Sequence, residues 1–361
     1  MKLSKLLLLA LCISLFASCS SDDDTTENND DDVVVTPSKG DYEEGFFILN
    51  EGSTGQGTVS FSNDDFSSFT KDVYSKVNGS DALGKFAQNI FFDGDKAYII
   101  AGGSNVINVV NRYTFKLIAK VDSGLVNPRY GVVKDGKAYV TNANTYPVYD
   151  DPTANPNANT DDYVAIINLA TNTVESKIDL NTTGNRIVLK DDKLYITEPN
   201  SSDKLSIVNI TSKTLETPVT VGYSADSMEE ENGTLYILRA PYTGRGELVK
   251  VKLSDKSVSK ITFPESLDGA GLLDIYQSKI YYTAKSSVYV MNTTADVPST
   301  DAILTSPAGY LYGFAVHNDR IFISDGGDFK QDSKAYIYNL AGAIQKELAV
   351  GVGPNGFYFN D

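Results

Sequence analysis

The chain is poorly supplied with groups that break bonds. Its 361 residues include one histidine, His317, and two cysteines, Cys12 and Cys19. A Ser-His-Asp relay needs a histidine between a serine and an acid, and zinc sites draw on several His and Cys. Neither set can be assembled here. His317 opens the polar run His317-Asn318-Asp319-Arg320, which reads as a turn, so a surface ring is its expected role. Asn155, Asn157, Asn159 and Asp161 alternate in the manner of calcium ligands. The stretch lacks the turn glycine and bidentate glutamate of a helix-loop-helix calcium site, and a solvated loop is the simpler reading. No catalytic residue, resident metal or cofactor is assigned.

Binding groups are more plentiful. There are 22 tyrosines and no tryptophan. A set of amides, acids, guanidinium groups and phenols falls at recurrent places: Glu51, Gln88, Arg129, Tyr130, Asn142, Asn144, Tyr146, Arg186, Glu198, Asp226, Arg239, Tyr242, Tyr312, Asp325 and Asn355. Gathered around a concave rim, such groups suit a large neutral or zwitterionic ligand with many hydrogen-bonding atoms. Turn chemistry alone explains about half of the Asn and Asp members. It explains Arg129, Arg186, Arg239, Tyr130 and Tyr242 less well.

The elements that place these residues are visible as a repeat. A polar turn followed by an aromatic-bearing strand reads "DGDKAYII" at 93–100, "KDGKAYVT" at 134–141, "KDDKLYIT" at 190–197, "ENGTLYIL" at 231–238, "YQSKIYYT" at 276–283 and "HNDRIFIS" at 317–324. The aromatic positions Tyr98, Tyr139, Tyr195, Tyr236, Tyr281 and Phe322 are spaced 41, 56, 41, 45 and 41 apart. An interval of forty-odd residues filled with short strands is a propeller blade. Between signatures lie a third strand, such as "YVAIINLATNTV" (163–174), and a fourth, such as "ESKIDL" (175–180). The long interval carries about fifteen extra residues, rich in Pro, Asn and Asp, which predicts a loop over 145–162 between strands two and three of blade three.

The ends supply a seventh blade. "GFFILNE" (45–51) reads as a second strand with no first, and "TVSFSN" and "FTKDVY" as strands three and four. The last residues, "GPNGFYFND", read as a first strand with nothing after it. Laying 356–359 beside 46–49 closes the ring and removes exposed edges. The expected fold is all-β: a seven-bladed β-propeller of four-stranded antiparallel blades, closed by pairing of the N- and C-terminal strands. The ends of strand two and the starts of strand one then share one mouth of the central channel, where the rim set would meet.

Residues 1–18 carry Lys2 and Lys5, an apolar run from Leu6 to Phe16 and small residues before Cys19, the layout of a signal peptide. Phe-Ala-Ser before Cys19 resembles a lipobox, with Phe16 where Leu is usual, and makes Cys19 the expected lipidation site. Cys12 would leave with the signal, so no disulfide is expected. Residues 19–41 are polar and acidic, too poor in apolar groups to order themselves, and read as a flexible tether ahead of a propeller at 42–361. Residues 20–44 hold ten acids and one lysine of a chain whose formal charge is −16. Without basic stripes, nucleic acid is not an expected partner. Ser21-Asp22-Asp23-Asp24 resembles the export signal of Bacteroidota surface lipoproteins, which implies a lipid anchor in the outer membrane facing the medium.

"FFILNEGSTGQGTVSFSN" (46–63), "GKFAQNIFFDGDKAYII" (84–100), "NVINVVNRYTFKLIAKV" (105–121) and "NPRYGVVKDGKAYVTN" (127–142) resemble the YncE-like propeller lipoproteins of Bacteroidota. The BtuG-type members bind cobalamin at the cell surface and pass it to a BtuB-type TonB-dependent transporter. The resemblance implies that role here, non-enzymatic, with cobalamin or another corrinoid as transported ligand. The alternative is a non-catalytic surface propeller for protein or glycan interaction. A third reading, a lactonase-like calcium propeller, would place Glu51, Glu198, Asp226 and Asp325 around a channel metal but lacks a general base.

Overall fold

The computed structural model describes residues 38–145, 160–241 and 244–360. The signal segment, Cys19, the acidic tract to residue 37, Tyr146, Asn155, Asn157, Asn159 and Tyr242 lie outside the described residues.

Seven antiparallel sheets form the propeller. Their innermost strands are Pro354–Phe359 in blade 1, Ala87–Asp93 in blade 2, Pro128–Lys134 in blade 3 and Arg186–Lys190 in blade 4. Ala225–Glu231, Ala270–Tyr276 and Leu311–His317 serve blades 5, 6 and 7. In blades 2 to 7 the repeat signature is the hairpin from this strand to the second. Its turn residues Asp135 and Gly136 have φ of 51° and 71°, Asn232 and Gly233 52° and 78°, and Asn318 and Asp319 50° and 58°. Two successive left-handed residues make the type I′ turn, whose twist matches the strands it joins.

The second strands, such as Lys96–Ala101 and Thr234–Arg239, are buried over most of their length. A blade is covered by a neighbour on each side, so this strand has no wet face and reads as continuous apolar sequence. The outermost strands do meet water, and Thr173–Asp179 alternates accordingly. Blade 4 has a broken outer edge, with Thr214–Leu215 and Val219–Thr220 pairing opposite ends of Lys204–Asn209. Pro218, which has no N–H to give a ladder, stands in the gap.

Ring closure follows the expected register. Phe46 lies opposite Phe359 and Leu49 opposite Gly356. Phe46 is fully buried against the rings of Phe322, Phe357, Phe359 and Phe66, with centroids 5.0–6.5 Å away. Asn360 then seals the seam. Its side-chain N–H₂ donates to the carbonyls of Tyr42 and Arg112, and its oxygen accepts from Arg112 Nε. Hydroxyls at the ends of second strands latch blade to blade: Thr141 donates to Asn185 O at 2.6 Å, Thr197 to Asp226 O at 3.2 Å and Ser324 to Pro354 O at 2.6 Å.

Three local expectations need correction. "FTKDVY" is a two-residue strand, Phe69–Thr70, followed by a helix, Val73–Asn78, capped by Asp72. The strand ends because Val73 and Tyr74 drop into the core, and Asn78 ties the helix to Phe115 O and Leu117 N of blade 2. In blade 3 the third strand stops at Asn168, and the fourth runs from Thr173 to Asp179. The start of the propeller also lies earlier than residue 42. Lys39 Nζ donates to the Tyr113 hydroxyl at 3.2 Å, and Tyr42 N–H to Tyr113 O at 2.9 Å. The long insertion does leave between paired strands two and three, where Asn142 faces Tyr163.

Candidate functional site: the propeller mouth and channel

Starts of innermost strands pair with ends of second strands: Pro128 with Asn142, Ala225 with Arg239, Leu311 with Asp325. These ends surround one mouth of a channel of about 680 Å³, lined by all seven innermost strands. His317 stands at the opposite end, stacked on Phe359 at 3.8 Å.

Five of the rim set line this channel: Gln88, Tyr130, Arg186, Tyr312 and Asn355. Gln88 Nε2 donates to the Tyr130 hydroxyl at 2.9 Å, and the Arg186 guanidinium lies 4.8 Å above the Tyr130 ring. Arg186 Nε donates to Asp226 at 2.9 Å, and Arg129 Nε to Asn185 at 3.1 Å. Enclosure works against the Arg186 charge, yet Asp226 and Tyr130 together hold its pKa above the ordinary value. Glu51 accepts from the Tyr312 hydroxyl. Burial pushes the Glu51 carboxyl up, against the pull of Tyr312 and the Arg129 charge. Burial and the neighbouring Glu51 likewise push the Tyr312 phenol up. Asn355 donates to Ala87 O at 2.8 Å, while its Oδ1 is buried with no partner.

Other members of the set hold loops rather than face the opening. Asn142 is fully buried, donating to Val140 O at 2.9 Å and accepting from Val126 N–H at 3.0 Å. Asn144 is tied to Asp161 at 3.0 Å, and its N–H to Asp162. Glu198 accepts from the N–H groups of Asn200 and Ser201 and closes their turn. Arg239 is held by Glu247 across the ladder and by Tyr223 O at 2.9 Å. Asp325 accepts from the N–H groups of Gly309, Tyr310 and Gly327, each at 3.0 Å. The four carboxylates of the calcium reading thus each have a separate local partner. Among the described residues no three His, Cys, Asp or Glu are grouped to hold a metal ion.

Deeper in the channel are groups the rim argument did not reach. Glu229, Asp274 and Tyr358 line it. Asp274 accepts from Val316 N–H at 2.7 Å, and Asn89 reaches the Tyr358 hydroxyl at 3.4 Å. Enclosure raises the Glu229 pKa, as does the Asp274 charge, while Arg186 opposes both. Enclosure also raises Asp274, opposed by the N–H groups of Val316 and Ile275. One signal was present in the sequence. In register, Glu229 faces the signature Tyr236 and Asp274 faces Tyr281, where the other blades carry Phe91, Val132, Val188 and Ala315.

A pH effect follows. A carboxyl whose folded pKa lies above its unfolded value keeps its proton longest in the folded chain, so stability falls as pH rises through that interval. Glu229→Gln removes one such group. Its melting temperature, relative to wild type, is expected to be higher at pH 8 than at pH 5. Parallel melting curves across that range would refute the assignment.

Comparison with known proteins places the chain. Residues 44–297 match the family described as a domain of unknown function, DUF5074. This chain belongs to the DUF5074 family. No curated protein matches it. Among solved structures, the DUF5074 chain resembles a quinonprotein alcohol dehydrogenase-like protein from Bacteroides thetaiotaomicron, at 14% identity, 89% and 79% coverage of the two chains and a TM-score of 0.63. It also resembles apo AztD from Citrobacter koseri, at 12% identity, 87% and 96% coverage and a TM-score of 0.52. A third similar structure is the dihydro-heme d1 dehydrogenase NirN in complex with DHE, at 13% identity, 91% and 78% coverage and a TM-score of 0.55. At these identities the likeness is one of fold, and the site must be argued from its own groups.

Proposed function

We propose that this protein is a surface lipoprotein that captures a bulky small molecule at the propeller mouth, with a corrinoid as the ligand class. It would pass that ligand to a BtuB-type TonB-dependent transporter in the outer membrane to which Cys19 anchors it. The resemblance to BtuG-type lipoproteins motivates the ligand and the partner. The observation that carries the capture reading is the composition of one face. Gln88, Tyr130, Arg186, Tyr312 and Asn355 converge on the channel opening. Phe86, Tyr223 and Tyr310, immediately or closely before three innermost strands, are 44%, 58% and 53% exposed. A broad ligand with amide edges and apolar faces would meet donors, acceptors and rings together.

The test is direct. Purified residues 38–361, mixed with cobalamin and desalted, are expected to retain its visible absorbance. Arg129→Ala is expected to weaken capture about tenfold, in the range of a lost charge-assisted hydrogen bond, with the melting temperature little changed. A colourless protein would remove the corrinoid reading and favour the protein or glycan surface. Unchanged affinity in the variant would remove Arg129 from the site.

A further inference from the structure

We infer that Tyr310, backed by Tyr312 and Phe329, is a stacking platform for a flat heteroaromatic ring carried by the captured ligand. The inference rests on the capture reading and names a chemical group that the mouth selects. The three rings form a unit. Tyr310 and Tyr312 have centroids 5.7 Å apart and planes 30° apart. Phe329 meets Tyr312 edge-on at 5.0 Å and 85°, and Tyr310 at 6.0 Å and 60°. One ring thus lines the channel, one props the pair, and Tyr310 is left 53% exposed at the rim.

The surrounding backbone is built to hold that ring. Both Asp325 carboxylate oxygens clamp the loop, on Gly309 and on Tyr310 itself, and Gly326 N–H donates to Tyr310 O at 2.7 Å. Phe329 has φ of 56°, a left-handed conformation disfavoured for a bulky side chain. A Cβ on Gly326 would lie 2.7 Å from the Tyr310 ring, and one on Gly353 3.0 Å from the Phe329 ring. The missing Cβ atoms thus let the backbone close on both rings and hold the unit in place. A flat aromatic ring is the occupant that an exposed, backed tyrosine face of this kind matches, with offset stacking as its contact.

Two corrinoids separate this inference from its premise: one with its benzimidazole nucleotide, and one from which that nucleotide has been removed. Tyr310→Ala is expected to weaken the complete corrinoid about three- to tenfold, the scale of one aromatic pair. It should leave the stripped corrinoid unchanged, and Tyr310→Phe should retain wild-type affinity for both. Equal loss for both corrinoids, no loss for either, or a Phe variant as weak as Ala would overturn the platform. If wild type binds neither corrinoid, the capture premise fails, and free benzimidazole decides the platform separately. Saturation-transfer NMR should then show contact with wild type that disappears in Tyr310→Ala. No contact, or contact surviving in the variant, would overturn it.

Discussion

Deletion of residues 354–361 is expected to abolish soluble folding of the entire propeller, although it removes one strand of twenty-odd. The segment completes blade 1 from the inside, pairing with Phe46–Asn50 over its whole length. Without it the central strand of that blade gains an unpaired edge, and the fully buried Phe46 loses Phe357 and Phe359. Burying such a side chain is worth about 1.5–3 kcal/mol. The Asn360 seam adds the orphaned carbonyls of Tyr42 and Arg112, each costing about 1–3 kcal/mol when left unmet. Together these approach the total stability of an ordinary domain, about 5–15 kcal/mol. The measurement is soluble yield and thermal unfolding of the truncated chain. A circular permutant that joins residue 361 to residue 38 through a short linker and opens elsewhere should keep the fold, because both the strand and its seam partner Tyr42 are retained. A truncated chain that melts cooperatively as a soluble monomer would show that the seam is dispensable.

Arg186→Met should destabilise the protein, and by an amount that grows with pH. Arg186 and Asp226 are bonded at 2.9 Å with side chains 29% and 32% exposed. That lumen exposure places the loss at about 1–3 kcal/mol, below that of a fully buried pair. The variant leaves Asp226 without its cation and takes away the charge that opposes the raised pKa of Glu229. At pH 5 the channel carboxyls accept protons readily and the penalty shrinks. Toward pH 8 they must ionise without Arg186, and the penalty is largest. Unfolding in urea at both pH values checks the sign; an equal loss at both would disconnect Arg186 from the channel acids.

The architecture was legible because the blade hairpin repeats with little variation, and because two unmatched half-blades at the ends have one consistent pairing. "FTKDVY" misled because its β-rich composition hides two core residues, Val73 and Tyr74, that a short helix delivers better than a strand. The rim was legible only in outline. A repeat fixes which end of a strand a residue occupies, and so gathered Gln88, Tyr130, Arg186 and Tyr312. It does not reveal whether a polar side chain faces the opening or turns back on its own loop, as Asn142, Glu198 and Asp325 do. Glu229 and Asp274 were hidden differently. In "ADSMEEE" and "AGLLDIY" an acid reads as the wet face of a strand, and only closing the ring turns that face into a channel wall.

The direction of the strand that begins the fold decides which end of the channel an attachment near Lys39 would cover. Gly45–Asn50 runs toward the mouth, so Gly45 lies at the far end, and Lys39 and Tyr42 are fastened there to Tyr113. A surface linkage made at Lys39 therefore leaves the mouth uncovered.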